Sequence, residues 1–189
     1  MMTKTDVATA HDVVDFWRAA GPKQWFGSSA VFDAEIALRF GALHQDASER
    51  MLDSWRETPI GTLALVLMLD QFTRNLRRGS PLAFANDGAA QEIAAEGIQR
   101  GHDLEVTADL QPFLYLPFEH SEDLAAQDRS VDLAQRYQDR TGDAEPLKWA
   151  AHHRDIIRRF GRFPHRNGIL GRSSTAAERA FLADGGFGG

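Results

Sequence analysis

Apolar residues recur at helical spacing along most of the chain, and turn chemistry separates the runs. Val13, Val14, Phe16 and Trp17 mark a first helix, closed by Gly21 and Pro22. Phe32, Ile36, Phe40 and Leu43 fall at spacings of 4, 4 and 3, one face of a 3.6-residue period, with Ser28 or Ser29 placed to cap it. Thr58-Pro59 and Ser80-Pro81 each set a hydroxyl before a proline at the first helical position, where a missing N–H costs nothing. They predict one helix through Ile60, Leu63 and Leu67 to near Gly79, and another through Phe84, Ile93 and Ile98 to Gly101. Ser121-Glu122-Asp123 reads as a cap with first-turn acids ahead of Leu124, Val131, Leu133 and Tyr137. A last long helix runs from about Glu145 to Phe160, stopped by Gly161 and Pro164.

No stretch alternates with period 2, and the apolar run Leu63 to Leu69 is leucine-rich with a Thr-Pro start, which favours helix over buried strand. The fold class expected is all-α, built of packed antiparallel helical hairpins joined by short loops. A single domain over 1–189 is expected, with 184–189 as a flexible tail from which Phe187 is positioned to dock.

Composition narrows the chemistry. With 43% apolar residues the 189-residue chain can bury a core without crosslinks, and it has no cysteine, so disulfides, thiolate metal sites and cysteine nucleophiles are excluded. The opening residues carry Asp6, Asp12 and Asp15 and no apolar centre of a signal peptide, and no apolar run nears the ~20 residues of a membrane span. A cytoplasmic setting and no membrane partner are expected. The net charge of −6 argues against nucleic acid. Its distribution is uneven: Arg154, Arg158, Arg159, Arg162, Arg166 and Arg172 face one acid, Asp155, across 154–172.

Three segments carry more polarity than packing needs. In LDQFTRNLRRG (69–79), Asp70 and Arg74, like Gln71 and Asn75, are i,i+4 partners on one stripe, with Arg78 a turn further. In FLYLPFEHSED (113–123), Glu119, His120, Glu122 and Asp123 crowd a bend that Pro117 encourages, and a carboxylate near a histidine can ligate metal or tune its proton affinity. In HRDIIRRFGRFPHRNGILGRSST (153–175), the chain leaves its helix at Gly161, and Arg162, His165, Arg166 and Asn167 line the loop that follows. Guanidiniums offer paired donors to carboxylate or phosphate, so either the protein's own acids or a ligand must answer this charge. The His153-Arg154-Asp155 triplet matches a protein-kinase catalytic loop, but it lies in a helix and the other kinase motifs are missing. His152 and His153 are adjacent and so cannot form a zinc-protease helix motif.

On these three segments, with Asp15-Phe16-Trp17 and Trp25-Phe26, the chain resembles a bacterial family known as domain of unknown function 924. The resemblance implies a tetratricopeptide-like right-handed helical array, here without a detectable repeat consensus, and no established activity. Thr73 stands where that family usually has proline, implying a helix that continues smoothly. Glu119 stands where a neutral residue is usual, which argues against a purely cationic pocket beside His120.

Two functions follow as expectations. One is a small anionic ligand, phosphate ester or carboxylate, held by Asp70, Arg74, Asn75, Arg78, Arg162, Arg166 and Asn167, with His120, Glu122, His153 and His165 as acid–base candidates. It requires the three segments to converge. The other is a helical scaffold for a protein partner, with the polar segments as structural locks. No ligand spacing defines a metal site, and no cofactor is expected. If Arg162 and Arg166 keep solvent access, their loss should harm stability less than loss of Trp149 or Phe160.

Overall fold

Val13, Val14, Phe16 and Trp17 lie on the buried face of α1 (Ala10–Trp25), which Thr9 and Asp12 start with a reciprocal capping box. The computed structural model describes residues 8–188, and every regular element among them is helical. Gly21, at φ +70°, kinks α1, and Pro22 opens its final turn. Ser29 accepts from the Phe32 N–H to cap α2 (Ala30–Ser48), whose buried face carries Phe32, Ile36, Phe40 and Leu43. Thr58 caps α3 (Pro59–Val66) by accepting from the Gly61 N–H.

The helix does not continue smoothly past Val66. Leu67–Phe72 takes a π-helical course before α4 (Thr73–Leu76), and the Thr73 N–H donates to the Met68 carbonyl five residues back. The wider turn alters the i,i+4 stripe: Gln71 donates to Asp70 and Asn75 to Asp33, in place of the pairing expected between Gln71 and Asn75. The Thr73 hydroxyl meets His44 Nε2 at 2.8 Å and accepts from Asn86 Nδ2 at 3.1 Å.

Ser80-Pro81 does not open a long helix. Pro81–Phe84 is a 3-10 turn, and α5 (Asp87–Gln99) begins only after Asn86, whose amide is held by Thr73 and Ser48. Of the described residues, 8–78 and Leu82–Leu114 form one compact unit. Its core is aromatic: Phe16 stacks on Phe32 at 5.4 Å, and Trp17 meets Phe72 and Phe113 at 5.6 Å each.

A second unit comprises Gly79–Pro81 and, of the described residues, 115–188. It holds α6 (Leu116–Glu119), α7 (Leu124–Thr141), α8 (Glu145–Phe160) and α9 (Ala176–Ala183). Asp123 caps α7 through the Ala126 N–H, and a three-residue connection turns the chain into α8, which packs along α7. Gly161, at φ +70°, ends α8 in the left-handed conformation that glycine adopts without strain. Sequence periodicity misses α9, although Thr175 and Glu178 form a capping box at its start. Ile156, Ile157 and Phe163 make a small core against which Phe160, Phe181 and Phe187 pack.

Candidate functional site

The polar stripe of 69–78 lies in the first unit, where Asp70, Arg74 and Arg78 meet partners. Arg74 meets Asp70 at 3.4 Å and Asp87 at 3.1 Å and donates to the Ala83 carbonyl. Burial opposes the Arg74 charge, but Asp70 and Asp87 outweigh it and hold its pKa above the ordinary value. Arg78 grips Asp33 through Nε at 2.8 Å and a terminal nitrogen at 3.1 Å, while Asn75 donates to the same carboxylate at 2.7 Å.

The polar half of the second segment, 119–123, and the third segment, 153–175, share the second unit. Glu122, ahead of α7, reaches into the loop after α8. It accepts from both terminal nitrogens of Arg172 at 2.6 and 2.9 Å and from the Phe163 N–H at 2.8 Å. Burial raises its pKa, but those hydrogen bonds prevail and hold it below the usual carboxylate range. Such a carboxylate is a permanent acceptor that fixes the loop. Asn167, nearly fully buried, accepts from Arg172 Nε and donates to Ser174.

Arg162 makes a paired contact with Glu178, at 2.6 and 2.9 Å, and donates to the Ser173 carbonyl. The Arg162 hydrogen bond, with the Thr175 N–H, draws the Glu178 pKa down to about 2. Arg154 and Arg158 both approach Asp128. A depression of about 440 Å³ lies over Arg159, Phe160, Arg162, Thr175, Ala177 and Glu178. Solvent access reverses the order that residue type suggests for Trp149 of α8 and Arg166 of the loop. Trp149 is 45% exposed, whereas Arg166 is 7% exposed and lies over the Phe163 ring at 4.6 Å.

A different polar group sits beneath this loop. Glu119 ends α6 and His153 lies mid-way along α8, both buried, with Oε1 and Nδ1 3.0 Å apart. The same Nδ1 lies 2.9 Å from the Trp149 carbonyl. The distance would suit an ion pair, yet burial pushes the His153 pKa down to about 4, and His120, His152 and His165 press in the same direction. The imidazole is therefore neutral at pH 7. Its Nδ1–H is directed at the Trp149 and Glu119 oxygens, which leaves the lone pair on Nε2. No other described hydrogen bond reaches that nitrogen.

Aromatic rings close the group. Phe163 lies 5.6 Å from His153 and 5.5 Å from His165, and Phe187 lies 4.6 Å from His153, 5.1 Å from His165 and 5.8 Å from His152. Sequence reasoning singled out His120, His153 and His165 but left His152 and Phe187 outside the site. Only an aromatic residue isolated among glycines hinted at Phe187. Among the described residues, no group of three or more His, Asp or Glu side chains could hold a metal ion, and no helix is long and apolar enough to cross a membrane.

Residues 13–186 match the family described as "Bacterial protein of unknown function (DUF924)". The chain belongs to this family. The structure is also similar to that of a protein of unknown function from Agrobacterium tumefaciens, at 49% sequence identity and a TM-score of 0.87, covering 93% of this chain and 97% of that one. No curated protein matches the chain. The family description assigns no activity, so a functional reading of this member rests on its own side chains.

Proposed function

We propose that the second unit binds a small anionic molecule, a phosphate ester or carboxylate, against its histidine group, and that His153 Nε2 takes up a proton as the anion arrives. One observation carries the reading: Nδ1 of a neutral, buried His153 is fixed by Glu119 and Trp149, so the lone pair of Nε2 points away from the protein's own hydrogen bonds. A buried base with a low proton affinity is poised for an anion, because negative charge beside the imidazole stabilises its protonated form. His120, His152 and His165 lie within electrostatic range, Arg166 adds charge against Phe163, and Glu119 and Glu122 supply the opposing carboxylates. Arg162 and Arg172 are held by Glu178 and Glu122 and serve as the frame. The same lone pair equips the site for general-base catalysis. The cysteine-free composition fits a cytoplasmic setting.

The test is calorimetry with inorganic phosphate at pH 6 and pH 8, in two buffers of different ionisation enthalpy. Binding should be tighter at pH 6, with proton uptake that His153→Gln reduces. Binding without proton uptake, or no heat at either pH, would remove the reading. A second reading, a tetratricopeptide-like scaffold for a protein partner, draws on the exposed Phe26, Val31 and Leu38 of the first unit. It predicts that Leu38→Lys abolishes partner capture while phosphate binding is unchanged.

A further inference from the structure

We infer that the anion this site takes carries an aromatic ring of about phenyl size, and that Phe187 of the protein's own tail occupies the ring's seat. The inference rests on the anion site proposed above and names the class of molecule that fills it.

The seat is built from four rings. His153, His165, His152 and Trp149 surround Phe187 at centroid distances of 4.6, 5.1, 5.8 and 6.5 Å, three of them near edge-to-face. This arrangement suits a flat six-membered ring, because ring edges carry partial positive charge toward an aromatic face. It lies edge-on to the imidazole whose Nε2 has no hydrogen bond among the described residues.

The tail delivers Phe187 by means that keep it removable. Gly185 takes φ +79°, and the Gly186 N–H donates to the Phe181 carbonyl at 2.8 Å. A Cβ at Gly186 would sit 2.5 Å from that carbonyl oxygen and 2.6 Å from the Phe181 ring, so this turn requires glycine. Gly188, on the other side, meets nothing within 4 Å of where a Cβ would be. Phe187 is thus one apolar side chain between glycines, half-buried, and glycine backbone gains much freedom when released.

The chemistry left when the ring departs matches the proposed ligand. A phenyl group in that seat places a substituent on its rim among imidazoles, where a phosphate or carboxylate would find donors and a proton acceptor. A bare inorganic anion gains the donors without the seat. An aromatic anion gains both, but must displace Phe187.

The experiment compares phenyl phosphate with inorganic phosphate on the full chain and on Phe187→Ala at pH 6. Phenyl phosphate should bind more tightly than phosphate to the unaltered chain. Phe187→Ala should tighten phenyl phosphate about tenfold, a free-energy gain of about 1.4 kcal/mol, and leave phosphate within about twofold. Equal gains for both anions, or no gain, would overturn the ring seat while leaving the anion site standing. Heat from neither anion with either protein would overturn both. Hydrogen exchange on the unaltered chain gives an independent readout should Phe187→Ala fold poorly. Phenyl phosphate should speed exchange at the Gly186 amide, which donates to the Phe181 carbonyl, and phosphate should not; unchanged exchange there under saturating phenyl phosphate would refute displacement.

Discussion

Oε1 of Glu119 lies 3.0 Å from Nδ1 of His153, joining the end of α6 to the middle of α8 through two side chains buried from water. Neither helix could bury its own polar group at low cost alone, since an unpaired buried polar atom is destabilising. The contact therefore fixes how the two helices meet and which nitrogen of His153 keeps its lone pair.

The burial of His153 sets a pH dependence. His153 titrates near 4 in the folded chain against 6.5 for a free imidazole, so between those values the unfolded chain binds more protons. Stability should fall as pH drops from about 6.5 to about 4, by as much as about 3 kcal/mol. Urea melts at pH 7, 5.5 and 4.5 check this. His153→Gln should flatten the dependence, and equal slopes in both proteins would remove His153 as its source.

Arg162→Ala should lower the melting temperature more than Trp149→Ala, the reverse of the ordering that residue type suggests. Removing Arg162 leaves the carboxylate of Glu178, 2% exposed, without its cation, whereas Trp149 is 45% exposed and surrenders less contact. Because the Glu178 pKa is lowered from 4.5 to about 2, its contribution is fully present above about 4.5 and lost as pH falls through about 2. The gap between Arg162→Ala and the unaltered chain should narrow over that window. A gap constant with pH would point to lost packing instead.

Thr73→Val should cost about 1–3 kcal/mol despite its near-equal volume, because it leaves the His44 ring and the Asn86 amide without the shared hydroxyl. Burial, with Arg77 second, lowers the His44 pKa, so charging that ring offers no easy relief. Thr73→Ser should keep most of the stability. Chemical denaturation of the two variants distinguishes them, and equal loss would mean the methyl group matters rather than the hydroxyl.

Glu122→Ala should cost about 2 kcal/mol and loosen residues 161–172, since three donors lose one carboxylate. Amide exchange at Phe163 is the direct readout. Unchanged protection there would show that the loop holds itself.

Local signals in the sequence were strong where a helix is decided by its own residues. Thr58-Pro59, the 4-4-3 spacing of α2 and the Glu145–Phe160 limits of α8 all depend on capping atoms and faces within a few positions. The same reasoning misread Ser80-Pro81, because Asn86 is held by Thr73 and Ser48, distant partners that delay α5. It could not see the π-helical turn, where Thr73 and Met68 share a hydrogen bond that no residue pattern requires.

The composition of the candidate site was equally legible: arginines, histidines and acids concentrated in 119–123 and 153–172, which share the second unit. What each charge does was not. Sequence gives the number of acids and bases but not their distances, and an electrostatic interaction depends on separation and burial. Thus Arg162 and Arg172 are answered by Glu178 and Glu122, while burial lowers the proton affinity of His153, whose Nδ1 faces Glu119, 34 positions away. Helical periodicity and caps are properties of neighbouring residues, so the sequence alone determined an all-helical chain. The identity of each polar partner arises from chain closure over long separations, so only the tertiary structure decided which side chains meet in the candidate site.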